Sequence, residues 1–207
     1  MDRLGWDERY AGDELVWTAE PVRFRGPDQL VAEVEGLTPG RALDLACGEG
    51  RNAVWLAERG WAVTGVDFST VGLDKARRLA DARHVSVQWE RADVTEYQPP
   101  AEGFDLVIVM YLHLPESSRR IAFRRAAGAV APGGTLLVVG HDSTNPNEGW
   151  GGPQDSAVLY GPDDVVADVD GLDIVKAERV RRPVQTGDGE RTAIDVLVRA
   201  VRSRRSD

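Results

Sequence analysis

The chain has 207 residues, enough to bury one sizeable core but cramped for two domains, and its 42% hydrophobic and 29% charged residues are ordinary for a globular protein. A formal net charge of −9 speaks against a general nucleic-acid surface, and no apolar run approaches the length of a membrane span. The opening Met1-Asp2-Arg3-Leu4-Gly5-Trp6 lacks the basic and apolar regions of a signal peptide, so a cytoplasmic protein with no membrane or nucleic-acid partner is expected.

Residues 1–25 follow no period, yet Trp6, Tyr10, Trp17 and Phe24 are spread among their charges. Such a segment either staples itself to the core or covers a site and keeps water out of it. Residues 27–35 predict a short helix with Leu30, Val31 and Val34 on one face, ended by Gly36. An apolar run over 42–45, a turn marked by Gly48 and Gly50, a helix over 52–59 stopped by Gly60 and a strand over 61–66 then form a compact βαβ unit. Ser69 is placed to cap a helix over 71–82, with Leu73, Ala76, Leu79 and Ala80 turned in and Lys75, Arg77, Arg78 and Asp81 solvated. Alternation over 85–90 predicts a third strand, and the nearly all-apolar residues 104–110 a central parallel strand buried on both faces.

A helix over 117–130 is expected to turn its arginines at 119, 120, 124 and 125 outward and Ile121, Phe123 and Ala127 inward, before a fifth strand over 135–139. Residues 143–160 have no period and are rich in glycine, with Trp150 among them; a structureless stretch of that length in a compact domain is functional or disordered, and a lid over 142–160 is the expectation. A short helix from Gly161-Pro162-Asp163-Asp164 to Val169 follows. Strand-like 172–180 and 191–201 flank Thr186-Gly187-Asp188-Gly189 as an antiparallel hairpin, and the last residues should fray.

The chemistry concentrates in the βαβ unit. Parallel strands joined by a right-handed crossover end at the same edge of the sheet, so the glycine turn and Asp67 come side by side where open α/β sheets bind ligands. Gly48 and Gly50 let a ligand approach the backbone without meeting a Cβ, and Asp67 offers only acceptors, which suits the two vicinal hydroxyls of a ribose. A dinucleotide site would set its glycines against a pyrophosphate. Here the run Asp44-Leu45-Ala46-Cys47-Gly48-Glu49-Gly50 has one acid before the glycines and another among them. Two carboxylates suit a ligand with an ammonium and a sulfonium, which describes S-adenosylmethionine. A nicotinamide-dependent reductase and a non-catalytic cofactor-binding protein are the alternatives. Cys47, the one cysteine, excludes an intrachain disulfide and fits a packing role, and with three scattered histidines it forms no zinc signature, so no metal is expected.

At these residues the chain resembles the class I S-adenosylmethionine-dependent methyltransferases. Its glycine turn is similar to their first motif, D-L-G-C-G-x-G, with Ala46 where glycine is commoner; Asp67 matches the ribose-binding acid and Ala92-Asp93-Val94 the adenine-binding segment. Gly103-Phe104-Asp105-Leu106-Val107 and Ala131-Pro132-Gly133-Gly134-Thr135-Leu136 match the entries to strands 4 and 5, so the resemblance runs over residues 28–200. It implies a Rossmann-like α/β fold, a seven-stranded, mostly parallel sheet with a C-terminal antiparallel hairpin and helices on both faces, as a single domain over 1–207. It further implies that Asp44, Ala46, Gly48, Gly50, Asn52, Asp67, Phe68, Asp93 and Val94 hold the cofactor. Cys47-Gly48-Glu49-Gly50-Arg51-Asn52 with Leu56-Ala57 and Gly60, and the opening Trp6-Asp7-Glu8-Arg9-Tyr10, resemble the tellurite-resistance and thiopurine methyltransferase branch.

The acceptor is then a small molecule. A thiolate or chalcogenide needs no strong base, whereas an alcohol or phenol wants one within hydrogen-bond reach. His113 and His141 are the histidines expected at the ligand edge, with Tyr111, Asp142 and Tyr160 as polar neighbours. The branch resemblance favours a soft sulfur, selenium or tellurium acceptor slightly, and the strand 5 end Gly140-His141-Asp142 leaves oxygen and nitrogen acceptors open.

Overall fold

The computed structural model describes residues 3–12, 15–16 and 28–204; Trp17, Phe24 and Pro27, named above, lie outside the described residues. Helices α1 (Arg3–Arg9) and α2 (Asp28–Val34) precede β1 (Arg41–Leu45), α3 (Arg51–Ala57), β2 (Ala62–Asp67), α4 (Thr70–Ala82), β3 (Gln88–Arg91) and β4 (Phe104–Met110). The chain continues through α5 (Glu116–Ala129), β5 (Val130–His141), α6 (Asn145–Glu148), α7 (Pro162–Asp168), β6 (Asp173–Thr186) and β7 (Gly189–Val201).

The seven strands form one sheet in the order β3-β2-β1-β4-β5-β7-β6. β1 to β5 run parallel, and β7 is antiparallel to both β5 and β6. The strand order reverses between β1 and β4, so a crevice opens at their C-terminal ends. Successive side chains of β4 supply two cores. Val107 and Val109 pack with α5 and α7 residues such as Phe123 and Val165, while Leu106 and Ile108 pack with Leu30 of α2 and Trp55 and Leu56 of α3. The all-apolar run is therefore a strand buried on both faces. Ser69 caps α4 as its sequence predicts, its Oγ accepting from the Gly72 amide at 3.0 Å.

Several expectations are corrected by packing between elements. Arg119 is buried, because α7 covers that side of α5 and Arg119 Nε donates to Asp168 Oδ2 at 2.9 Å; Ile121 instead stands 44% exposed. Lys75 is buried too, its Nζ donating to Glu49 Oε1 at 3.0 Å. β5 begins at Val130, which pairs with Phe104 before the Gly133 and Gly134 irregularity. Residues 143–160 hold α6 and a 3-10 turn over Ser156–Val158, and Asp142 bridges Tyr160. The terminal hairpin is longer than its apolar pattern, paired from Asp173 with Val201 to Thr186 with Gly189. Since β7 pairs with β5 only from Asp195 to Val201, the far part of the ribbon extends past the end of β5.

Candidate active site

The glycine turn follows β1 and is wound tightly. Gly48 and Gly50 have φ of +54° and +78°, and Ala46 takes a φ of +61°, where a Cβ is strained and where the related motif carries glycine. The turn is held to the neighbouring strand by Asp67, whose Oδ2 accepts from the Gly48 amide and Oδ1 from the Ser69 amide, each at 2.8 Å. Each oxygen keeps a second lone pair. Burial raises the Asp67 pKa against the pull of these amides.

Asp44, four residues before Gly48, is fully buried, and neither of its oxygens has a hydrogen-bond partner. Burial first, then the charge of Asp67, push its pKa up to about 8. The Ala53 amide and the Arg51 charge pull it down, by less than burial raises it. A buried carboxyl without a donor is costly, and a cationic ligand group would offset that cost. Glu49, expected to act alongside it, is committed elsewhere: it pairs with Lys75 and its Oε2 accepts from the Val16 amide at 2.8 Å. One free acid, not two, therefore lines the turn among the described residues. Asn52, at the first turn of α3, has a buried Oδ1 without a partner. Cys47 is buried, and burial, then Asp44 and Asp67, push its thiol well up, which keeps it neutral and matches a packing role.

Helix α1 lies over this turn. Ser69 Oγ donates to Asp7 Oδ1 at 2.5 Å, Trp6 stacks on Tyr10 at 5.3 Å, and the Tyr10 hydroxyl sits where a Cβ on Gly48 would come within 2.8 Å of it. Phe68 is half-buried beside Asp67. Past β3, Asp93 is exposed and its Oδ1 accepts from the Thr95 amide at 2.8 Å and the Thr95 hydroxyl at 2.7 Å, which shapes the turn that places Val94 in the core.

On the other side of the crevice, β4 and β5 deliver Tyr111, His113 and His141 together. His113 and His141 stack with ring centroids 5.5 Å apart, and Tyr111 is tilted against His141 at 5.1 Å. Tyr111 has a φ of +57°, a genuine outlier for a bulky side chain and a form of strain that clusters at functional sites. His113 has both ring nitrogens engaged: Nδ1 lies 3.3 Å from the Val158 carbonyl and Nε2 accepts from the His141 amide at 3.3 Å. Burial, then the neighbouring His141, push its pKa down to about 4, so it is a neutral, structural imidazole. Tyr160 is buried against His113 and Phe123 and donates to the Leu112 carbonyl at 3.1 Å. Asp142 is not in this group. Its Oδ1 accepts from the Thr144 amide and from Arg179 Nε, each at 2.8 Å, which ties the loop after β5 to β6.

Three residues of the group, Asp195, Arg182 and Gln29, escape the sequence pattern. Asp195 of β7 is fully buried and joins Tyr111, Arg182 of β6 and Gln29 of α2. The signal was present, since Asp195 is an acid inside the apolar run Ala193-Ile194-Asp195-Val196-Leu197-Val198. Tyr111 and Gln29 are distant in sequence and reach it through the sheet order and the packing of α2, whereas Arg182 comes from the adjoining strand of the hairpin.

Residues 42–134 match the family pattern described as a methyltransferase domain. Over 119 residues the chain is 31% identical to the ubiquinone biosynthesis O-methyltransferase of Coxiella burnetii, and over 123 residues it is 37% identical to the trans-aconitate 2-methyltransferase of Rhizobium meliloti. These alignments cover 56% and 58% of this chain and 48% and 45% of those proteins, so the chain spans about half the length of the curated relatives it matches. Among solved structures, the N-methyltransferase NodS from Bradyrhizobium japonicum WM9, in complex with S-adenosyl-L-homocysteine, superposes with a TM-score of 0.71 at 20% identity over 96% of each chain. The fold is thus the Rossmann-like methyltransferase fold, and residues 42–134 carry the sequence pattern of a methyltransferase domain.

Proposed function

We propose that this protein is an S-adenosylmethionine-dependent methyltransferase acting on a small molecule. The observation that carries the reading is the Asp44 carboxyl, buried without a donor beside the glycine turn. The family match over the same turn and the likeness to methyltransferase structures support it. When bound, the cofactor supplies an electrophilic methyl group together with its own leaving group. Asp44 would face its ammonium, and the remaining lone pairs of Asp67 its ribose hydroxyls. Asp93 and Val94 would flank the adenine, with Ala46, Gly48, Gly50, Asn52 and Phe68 forming the rest of the cradle. Helix α1 and residues 142–160 serve as covers that keep water out of the transfer.

The likeness of the glycine-turn residues to the tellurite-resistance and thiopurine branch leans the acceptor slightly toward a soft sulfur, selenium or tellurium atom. The pairing of Tyr111 with a histidine across the crevice favours a second reading, an oxygen or nitrogen acceptor served by a base. The experiment is a melting shift with S-adenosylmethionine, S-adenosylhomocysteine and NAD, followed by a panel of thiols, selenite, tellurite, phenols and amines scored by the mass gain of one methyl. Stabilisation by the first two ligands and not by NAD is expected. A shift with NAD alone overturns the reading.

A further inference from the structure

Four strands bring polar side chains to one point across the crevice from the glycine turn. Asp195 Oδ2 accepts from Arg182 Nε at 2.6 Å, from the Tyr111 hydroxyl at 2.9 Å and from Gln29 Nε2 at 3.2 Å. Its Oδ1 takes Arg182 Nη2 at 3.3 Å and has His141 Nδ1 at 3.3 Å. That last approach is short of hydrogen-bond alignment, so Nδ1 is left buried with no aligned partner. Burial alone would raise the Asp195 pKa; His141, Arg182 and Tyr111 outweigh it and hold the carboxyl below its ordinary value. The carboxylate therefore stays charged beside the imidazole.

The His141 ring is boxed in on its other sides. His113 stacks on it, Tyr111 tilts against it, and Gly152 of the loop after β5 lies so close that a Cβ there would come within 2.6 Å of Cδ2 and 2.7 Å of Cγ. The His141 side chain keeps 15% of its exposure, and its Nε2 forms no hydrogen bond with the described residues. The charged and titratable groups that face it are Asp195 from β7, Arg182 from β6, and Tyr111 and His113 from the end of β4; the loop contributes an uncharged glycine and α2 an uncharged Gln29.

We propose that Asp195 is a positioning residue whose charged carboxylate, 3.3 Å from His141 Nδ1, favours the imidazole that leaves Nε2 to take the proton from a protic methyl acceptor. This deepens the methyltransferase reading and rests on it. As the acceptor atom forms its bond to the methyl carbon, the carbon–sulfonium bond breaks and its electron pair stays on sulfur, giving a neutral thioether. The acceptor's proton passes to His141 Nε2, and Asp195 opposes the imidazolium charge until solvent takes the proton away. His113 has no part in this, since both of its nitrogens are engaged. A thiol, a phenol and an amine all bring such a proton, so the acceptor class is set by a removable hydrogen rather than by the softness of the atom alone.

The test is an NMR titration of the histidine imidazoles in the full chain bound to S-adenosylhomocysteine, with His141→Gln assigning the His141 signal. Asp195→Asn, which removes the charge opposite the imidazole, should change the His141 titration, whereas a merely structural Asp195 would not. Single-turnover transfer to a phenol, which is still protonated at pH 7, should fall roughly tenfold or more in Asp195→Asn and in His141→Gln. Gly152→Ala keeps Asp195 and Arg182 but forces a Cβ against the His141 ring at a φ of +73°, so the loop or the ring must shift and the transfer should slow. The melting shift with S-adenosylhomocysteine should persist in all three variants. Loss of that shift in the unmodified protein would instead be a failure of the methyltransferase reading. An unmoved midpoint in Asp195→Asn, or transfer at the unmodified rate in His141→Gln, overturns the proposal. Should Asp195→Asn fail to fold, the transfer rate in His141→Gln decides it, and the unmodified rate there overturns the proposal.

Discussion

Asp67 stands across the glycine turn from Asp44, and its charge adds to burial in holding the Asp44 carboxyl up at about 8. Folding therefore favours the protonated acid. The share of stability that Asp44 contributes is fully present below its unfolded value near 3.8 and is lost as pH rises through about 8. Asp44→Asn keeps the shape and removes the charge, so the unliganded variant should melt higher than the unmodified protein at pH 8.5 and no higher at pH 4. Thermal melts across that range check it; parallel curves for the two proteins would sink the assignment.

The same linkage has a sign for ligand binding. A cofactor ammonium placed against Asp44 favours the carboxylate, so binding between pH 6 and about 8 should release a proton and tighten as pH rises. Calorimetry in two buffers of different ionisation enthalpy reads the proton count directly. Asp44→Asn should show little release and weaker binding, by roughly tenfold or more.

Arg119 and Asp168 join α5 to α7 through a buried ion pair, and Arg120 Nε adds a second contact to Asp168 Oδ1 at 3.2 Å. Removing Arg119 leaves the buried Asp168 with only the half-exposed Arg120, so Arg119→Ala is expected to cost up to about 3–5 kcal/mol. Replacing Arg119 and Asp168 together by apolar residues of similar volume should cost far less. Urea unfolding of the single and double variants checks the difference, and equal losses would show that packing, not charge, holds the two helices.

Ala46 is a non-glycine residue at φ +61°, so Ala46→Gly removes a strain of about 1 kcal/mol while loosening the unfolded chain by a comparable amount. The variant should keep its melting temperature within a few degrees. Gly50→Ala should not, since its Cβ would sit 2.6 Å from the Ala76 Cβ and 2.7 Å from the Trp89 ring at a φ of +78°.

The loop after β5 is pinned by Asn145, whose Oδ1 accepts from the Ile194 amide at 2.7 Å and whose Nδ2 donates to the Gly151 carbonyl at 2.8 Å. Asn145→Ala leaves a buried amide unpaired, at about 1–3 kcal/mol, and frees the segment that carries Gly152 and the exposed Trp150. Limited proteolysis should cut this loop faster in the variant, and more slowly in the unmodified protein once S-adenosylhomocysteine is bound. Equal cleavage with and without the ligand would remove the cover role.

The alternation of apolar runs, helix patterns and glycines determined by itself the order of the elements from α2 to β5, the terminal hairpin, and the turn at Gly48 and Gly50, but not α1 or α6. These are local in origin: a period in side chains, a cap at Ser69 and positive φ at glycines are each written within a few residues. The tertiary structure decided which polar groups meet. Lys75 and Arg119 read as solvated on a helical period and are buried because a partner acid arrives from another element, Glu49 in one case and Asp168 in the other. His113 and His141 are alike in sequence, yet one has both nitrogens engaged and the other faces Asp195, because β7 inserts beside β5 in the sheet and carries that carboxylate to the end of the strand. A charge's role depends on what is packed against it, and that neighbour comes from far along the chain.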